Sequence, residues 1–148
     1  MKRIVLIFIS VTLLLLTSCS QEITNNESDY TAFLNLLNAD EFQYTEAEVD
    51  NDSFLSVPRK PVFIGDEIIS IYEYASNEVM EEDSKCIDKG GCSISVPGKS
   101  AKISWVSYPH FFKKNTLIIQ YIGEDEQILE FLNTNYGAEF AGYGYINK

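Results

Sequence analysis

The cysteine at position 19 is the residue whose surroundings point most clearly to a chemical reaction. Cys19 follows the run Leu-Thr-Ser at positions 16–18, directly after an apolar block. This is the pattern at which a cysteine thiol receives a lipid and a signal peptidase cuts ahead of it. We therefore expect Cys19 to be lipidated and to become the first residue of the mature chain, outside the cytoplasm.

The segment before this cysteine is typical of a lipoprotein signal peptide over residues 1–18. Lys2 and Arg3 are basic, and residues 4–16 are apolar apart from one serine and one threonine. An uncleaved membrane helix and an ordinary secretory signal with an unrelated cysteine are the alternatives. The apolar run is shorter than the roughly 20 residues that span a bilayer, which favours the signal.

Two further cysteines, Cys86 and Cys92, lie on either side of a turn that contains Gly90 and Gly91. An even number of cysteines in an exported protein indicates a disulfide, and the glycines let the chain fold back sharply. We expect a Cys86–Cys92 disulfide, and two separately buried thiols are the alternative. Two cysteines without nearby histidines supply half of a tetrahedral ligand set, so no metal site is predicted.

Glu73 and His110 are the two residues considered for acid–base catalysis. His110 is the only histidine, and Glu73 lies between two tyrosines in a β-rich run. If Glu73 faces inward, burial should raise the pKa of its carboxyl group. The pair could act only if both side chains converge in one pocket. A packed histidine and a solvent-facing glutamate are the alternatives, so no catalytic residue is assigned.

Composition narrows the classes of function. The chain carries 22 acidic and 11 basic residues, a net charge of −11, and loss of the two basic residues of the signal makes the mature chain more acidic. A general field of this sign repels nucleic acid. No phosphate loop, zinc-protease motif, nucleophile elbow or calcium loop is present, and no cofactor is expected.

The sequence divides into a tether and one domain. Residues 19–29 are polar and rich in asparagine and glutamate, which is typical of a flexible tether. Residues 30–148 are enough for a single domain with its own core. Ser28 or Asp29 can cap a first helix, and Phe33 and Leu37 belong to its apolar stripe.

The domain then follows a strand–strand–helix scheme that occurs twice. Residues 62–64 and 68–74 predict a hairpin that leads into a helix from 76 or 77 through Ile87. Residues 103–112 and 116–122 predict strands before a helix that begins near 125 and stops at Gly137. An offset of 48 aligns Ile71 with Ile119 and Met80 with Ile128. We expect an α+β domain in which helices cover one face of an antiparallel sheet, with two β-β-α units. Chance similarity between any two strand-to-helix passages is the alternative to duplication.

The chain resembles a group of small lipoproteins and secreted proteins of Gram-positive bacteria. The resemblance spans roughly residues 30–142 and lies in FLSVP at 54–58, IYEY at 71–74, Trp105 with PHFFKK at 109–114, residues 118–123, and GAEFAG at 137–142. It implies a common fold and, because the group has no established activity, it gives no residue a catalytic role. Cys86 and Cys92 depart from the group, so a disulfide would be a local addition.

These features predict a lipid-anchored protein on the extracytoplasmic face of the cell membrane. We expect a non-enzymatic binding module whose partners are the membrane, through its lipid, and an envelope protein, but not nucleic acid. An envelope enzyme that uses Glu73 and His110 is the alternative.

Overall fold

The structure, a computed structural model, describes residues 27–147, so the expected signal peptide, Cys19 and most of the tether lie outside the described residues. The elements in chain order are α1 (Asp29–Ala39), β1 (Thr45–Glu46), β2 (Arg59–Ile64), β3 (Glu67–Glu73), α2 (Asn77–Ser84), β4 (Ser93–Val96), β5 (Lys99–Lys102), β6 (Pro109–Lys114), β7 (Leu117–Ile122), α3 (Glu126–Tyr136), β8 (Ala141–Gly142) and α4 (Tyr143–Ile146). None of the helices within 27–147 has the length and apolar character of a membrane-spanning segment.

The larger sheet has six strands in the order β1-β2-β3-β7-β6-β8, and β4 and β5 form a separate hairpin. Every pairing between these strands is antiparallel. The predicted α+β class with an antiparallel sheet is therefore confirmed. The long strands β3 and β7 lie side by side at the centre of the sheet, where buried side chains project from both of its faces.

Helices α1 and α3 cover one face of this sheet. Phe33 and Leu37 of α1 and Ile128 and Leu132 of α3 pack against strand residues such as Ile119. Both helices begin at local caps: the Ser28 side chain accepts a hydrogen bond from the backbone of Thr31, and the Asp125 side chain accepts two from α3. These caps satisfy N–H groups that the first turn of a helix leaves free.

The opposite face is covered by α2 and the β4–β5 hairpin. Met80 of α2 and Ile94 and Val96 of β4 pack against Tyr72 and Ile118. The expected cover of one face by helices is thus supplied by α1 and α3, whereas α2 lies across the sheet from them. The central strands carry large apolar residues at successive positions, so both of their faces must be shielded from water.

The two β-β-α units are present as β2-β3-α2 and β6-β7-α3, and Ile71 lies directly opposite Ile119 in the ladder between β3 and β7. This pairing fits a two-fold axis normal to the sheet that exchanges the two hairpins. Such an axis would leave α2 and α3 on the same face. Met80 and Ile128 instead belong to clusters on opposite faces, so the similarity of the units ends after the strands.

Two elements between residues 85 and 108 differ from the expectation. Residues 103–106 form no strand, and the helix predicted to reach Ile87 ends at Ser84. The intervening chain forms the β4–β5 hairpin around Pro97 and Gly98. Ile94 and Val96 alternate with serines, and this period of two is the signal that indicates β4.

Candidate functional site

Two polar residues interrupt the apolar face that α2 and the hairpin cover. Ser70 of β3 lies directly opposite Gln120 of β7, and Gln120 is paired on its other side with Phe111 of β6. Ser70 and Gln120 are 5% and 4% exposed. Because directly opposite residues of antiparallel strands share a face, the two side chains form one buried polar pair within an apolar row.

The Gln120 amide has only half of its hydrogen-bonding capacity used. The hydroxyl group of Tyr72 donates to Gln120 Oε1 over 3.2 Å, while Gln120 Nε2 is buried without a partner among the described residues. Burial raises the pKa of Tyr72 well above its usual range, so the phenol is neutral and needs an acceptor. The amide oxygen supplies it, which orients the amide. A buried donor left unpaired costs about 1–3 kcal/mol.

This polar pair lies at a cleft of about 470 Å³, which we call the Gln120 cleft. Its volume lies within the range of about 300–1,000 Å³ that is common for ligand pockets. Six of its lining residues are apolar and six are polar: Phe54, Ile68, Ile103, Trp105, Val106 and Ile122, and Arg59, Asp66, Glu67, Ser70, Ser104 and Gln120.

Trp105 forms one wall of the cleft, and a hydrogen bond and an aromatic contact fix the position of its ring. Its indole Nε1–H donates to the carbonyl oxygen of Gly91 over 2.8 Å, and its ring meets Phe54 edge to face at a centroid distance of 6.0 Å. Gly91 has a φ of +70°, and a Cβ at that position would lie 2.7 Å from the Phe111 ring. Only glycine fits there, so the indole is anchored to a rigid turn. Trp105 thus lies half-buried beside the cleft.

The outer rim of the cleft is apolar and faces solvent. Val106 is fully exposed, and Phe54 and Ile68 are each 40% exposed. Phe63 of β2 is also exposed and lies directly opposite Ile68, which extends the apolar strip across the sheet. Exposed apolar residues that are grouped in this way typically mark an interaction site.

The charged groups at the cleft differ in whether they already have a partner. Arg59 Nη2 lies 3.1 Å from Asp50 Oδ2 in an ion pair. The carboxylate of Glu67 accepts a hydrogen bond of 2.8 Å from Tyr121, whose ring packs in the core under α1 and α3. Asp66 lies exposed in the β2–β3 turn. A hydrogen bond from a neutral phenol cancels no charge, so the negative groups that the cleft presents without a paired cation are Asp66 and Glu67.

His110 forms a different and fully buried arrangement. Its Nδ1 lies 2.9 Å from Glu139 Oε1 and its Nε2 lies 3.1 Å from the carbonyl oxygen of Gly123. A carbonyl oxygen only accepts, so Nε2 carries a proton and the His110–Glu139 contact shares one further proton. Glu139 Oε2 also accepts from the backbone N–H of Gly144. The pair therefore ties β6 to the carboxyl-terminal segment.

Glu73 lies at the opposite end of the sheet from His110. It pairs with Leu117 of β7, whereas His110 pairs with Tyr121, so the two residues are about 14 Å apart along the strands and are separated by two strand spacings. The structure does not bring them together. Acid–base cooperation between them needs direct hydrogen-bonding reach, which this placement excludes.

The surroundings of Glu73 also reverse the expected direction of its pKa. Its Oε2 lies 2.6 Å from Lys60 Nζ and its Oε1 accepts from the backbone N–H of Tyr30. Burial alone raises the pKa of Glu73, but these hydrogen bonds and the charge of Lys60 bring it below its ordinary value. Glu73 is thus a paired carboxylate that holds α1 against the sheet.

The predicted Cys86–Cys92 disulfide is absent, and both thiols are free. The backbone of Asp88 bonds to Ser93 and that of Ser95 bonds to Cys86, a register that places Cys92 opposite Lys89. The two cysteines are then offset by three positions, about 10 Å, and a disulfide requires Cα atoms within about 7 Å. Burial, with the charges of nearby acids, raises the pKa of the Cys86 thiol.

Comparisons with known proteins assign no family to this chain. No protein-family model, curated protein or solved structure matches this chain. Within residues 27–147, no group of three or more histidine, cysteine, aspartate or glutamate side chains is placed to hold a metal ion. The resemblance to small Gram-positive lipoproteins stays a prediction.

The residues that matter most at the cleft, Gln120, Ser70 and Tyr72, were not identified from the sequence. A signal for Gln120 does exist, since it is the one polar residue between Leu117 and Ile122. A polar side chain in a strand that is apolar on both faces needs a hydrogen-bond partner, which either the core or a ligand must supply. The choice between the two depends on strand register and on the segments that pack above it.

Proposed function

We propose that this chain is a lipid-anchored, extracytoplasmic binding module and that its ligand occupies the Gln120 cleft. The observation that carries the proposal is the Nε2 group of Gln120, which is buried without a partner among the described residues, on a residue that lines a cleft of mixed apolar and polar character. A ligand that brings a hydrogen-bond acceptor to this nitrogen offsets a cost that the unliganded protein bears.

The composition of the cleft supports binding over turnover. Half of its lining residues are aromatic or aliphatic, and its polar groups are one amide, two serine hydroxyl groups, two carboxylates and one arginine that is already paired. Glu73 and His110, the two residues considered for acid–base chemistry, do not line it. Apolar walls with a few placed polar groups are typical of sites that recognise a ligand by shape and one or two hydrogen bonds.

Anchoring through Cys19 is the second part of the proposal, and it rests on the sequence pattern at positions 1–19. Substitution Cys19→Ala should release the protein from membranes or leave its precursor unprocessed. Fractionation of cells that express either form measures this directly. Normal processing of Cys19→Ala with full membrane retention would contradict lipid attachment at this residue.

Ligand binding can be tested with the fluorescence of Trp105, the only tryptophan in the chain. The protein would be the mature chain with Cys19→Ala, titrated with N-acetyl-leucine methylamide, decanoate and methyl glucoside as probes of three acceptor chemistries. We expect at least one probe to change the emission of Trp105 with a saturable curve. No saturable change with any of the three probes would count against the cleft as a binding site.

A matched pair of variants locates the response. Val106→Ser removes a fully exposed methyl-bearing residue from the rim, and Val79→Ser makes the same change on α2, outside the cleft. Neither side chain is buried, so both variants should fold normally. Val106→Ser should weaken binding of the active probe and Val79→Ser should leave it unchanged.

A further inference from the structure

We infer that the ligand of the Gln120 cleft is an extended peptide segment of a partner protein, with a large apolar side chain next to a cationic residue. This inference rests on the proposed function, because it names the class of ligand for the same cleft. Four features of the cleft carry it: an unpaired stretch of backbone, an apolar recess, a free amide donor and an uncompensated negative charge.

The unpaired backbone runs beside the cleft over residues 104–107. The N–H of Ile103 donates to Cys92 and the carbonyl oxygen of Tyr108 accepts from Gly123. Within the described part of the chain, the four residues between them make no backbone–backbone hydrogen bond. Exposed main-chain donors and acceptors next to a cleft are what an extended peptide pairs with, and a peptide supplies both kinds of group in turn.

The apolar part of the Gln120 cleft, which we call the recess, fits one large side chain of such a peptide. Trp105, Ile68 and Ile122 line it, and the exposed side chain of Val106 lies at its edge. When a peptide lies along the 104–107 backbone, its side chains alternate between the protein and solvent. One apolar side chain can then enter the recess while its neighbours remain at the rim.

Gln120 supplies the polar contact inside the recess. Its Nε2 group is a donor, so it recognises an acceptor such as a peptide carbonyl oxygen. Tyr72 already holds the amide oxygen, which fixes the direction of the free N–H bonds before a ligand arrives. A donor oriented in advance loses less conformational entropy on binding.

Charge at the rim favours a cationic neighbour for the apolar side chain. Arg59 is paired with Asp50, so no cation within the described residues lies on the exposed Asp66 or on Glu67, whose carboxylate accepts a hydrogen bond from Tyr121. The whole chain has a net charge of −11, which adds a long-range attraction for cationic segments. An acidic segment would be repelled both by the local negative charge at the rim and by the net charge of the chain.

The test is calorimetric titration of the mature Cys19→Ala chain with three capped pentapeptides: Lys-Leu-Phe-Leu-Lys, Ser-Leu-Phe-Leu-Ser and Glu-Leu-Phe-Leu-Glu. We expect affinity to decrease in that order at low salt. Asp66→Asn should lower affinity for the lysine peptide about two- to fivefold, the range of an exposed ion pair. Asp40→Asn removes the same charge at the end of α1, away from the cleft, and should change affinity less.

The outcomes separate this inference from the proposed function. Equal affinity for all three peptides would overturn the cationic requirement. Binding of decanoate or methyl glucoside with none of the three peptides would overturn the peptide assignment while the binding function stands. No binding of any peptide or probe would overturn both. Loss of lysine-peptide binding in Val106→Ser but not in Val79→Ser would support the peptide in the cleft.

Discussion

Tyr72 and Gln120 share one hydrogen bond of 3.2 Å, which uses the amide oxygen of Gln120 and leaves its nitrogen unpartnered. The two residues come from β3 and β7, the adjacent strands at the centre of the sheet. A core pair that is only half satisfied reduces stability, and it lies where the covering segments leave a cleft. Stability and binding should therefore respond in opposite directions when the pair is replaced.

Replacement of both partners tests this relationship. Gln120→Met alone leaves the Tyr72 hydroxyl buried without an acceptor and should cost about 1–2 kcal/mol. Tyr72→Phe with Gln120→Met removes both polar groups, so the double variant should be within about 1 kcal/mol of the native protein or more stable than it. Urea unfolding of the native protein, of Gln120→Met and Tyr72→Phe singly, and of the double variant measures these differences. A double variant less stable than either single variant would show that the pair has a structural role.

The His110–Glu139 pair should show strong energetic coupling. Glu139→Ala leaves the buried His110 Nδ1 and the partly buried Gly144 N–H without their partner, and it should cost about 3–5 kcal/mol. His110→Phe with Glu139→Leu removes the whole pair and should cost less than the sum of the two single changes. A double-mutant cycle by urea unfolding measures the coupling. Additive single effects would contradict a direct interaction between these side chains.

Gly142 should be the least replaceable of the glycines with positive φ. It has a φ of +109°, and a Cβ there would lie 2.2 Å from the carbonyl oxygen of Pro109. Gly142→Ala should disrupt the β6–β8 pairing and cost more than about 3 kcal/mol, combining strain with overpacking. Gly98→Ala is the control, since its φ is +80° but no atom lies within 4 Å of the added Cβ. Equal losses in thermal stability for the two variants would contradict the close approach.

Stability should fall on acidification partly through Glu73. The pKa of Glu73 is lower in the folded protein than its ordinary value of 4.5, because the Lys60 and Tyr30 hydrogen bonds outweigh the effect of burial. In the acidic range the unfolded chain therefore binds more protons than the folded one. The contribution of Glu73 to the free energy of unfolding is complete above about pH 4.5 and is lost as the pH falls through the lower pKa of the folded protein. Asp29, whose pKa is also lowered, acts in the same direction.

Thermal unfolding between about pH 6 and pH 3 measures this contribution. Glu73→Gln should reduce the slope of the melting temperature against pH in the acidic part of this range. Val79→Ser, which changes no ionisable group, should leave the slope near that of the native protein. An unchanged slope in Glu73→Gln would contradict the Lys60 pairing as the cause.

Local features of the fold were predictable from the sequence because their causes are local. Ser28, Ser76 and Asp125 cap their helices through bonds to residues two or three positions away. The β2–β3 turn follows from Gly65 and Asp66, and Gly137 ends α3. The signals for these features span only a few residues, so the sequence contains them in full.

Features that depend on distant pairing were not predictable in the same way. The offset of 48 aligned Ile71 with Ile119 as equivalent positions of two units, and the structure pairs these residues across β3 and β7. The offset did not predict that α2 and α3 lie on opposite faces of the sheet. Spacing alone suggested a disulfide, whereas the register places Cys92 opposite Lys89. The Gln120 cleft needs β3, β7, Trp105 and the turn at Gly91 together, and only tertiary structure brings these segments into contact.

The most direct test of a ligand site at Gln120 is a two-dimensional ¹H–¹⁵N spectrum of the mature Cys19→Ala chain during titration with the capped Lys-Leu-Phe-Leu-Lys peptide. The side-chain amide signals of Gln120 should shift together with the indole signal of Trp105 and saturate at the same peptide concentration. The side-chain amide of Asn133, which bonds to Leu129 on α3, is the internal control and should not move. Shifts elsewhere, with the Gln120 amide unchanged at saturation, would contradict the proposed site.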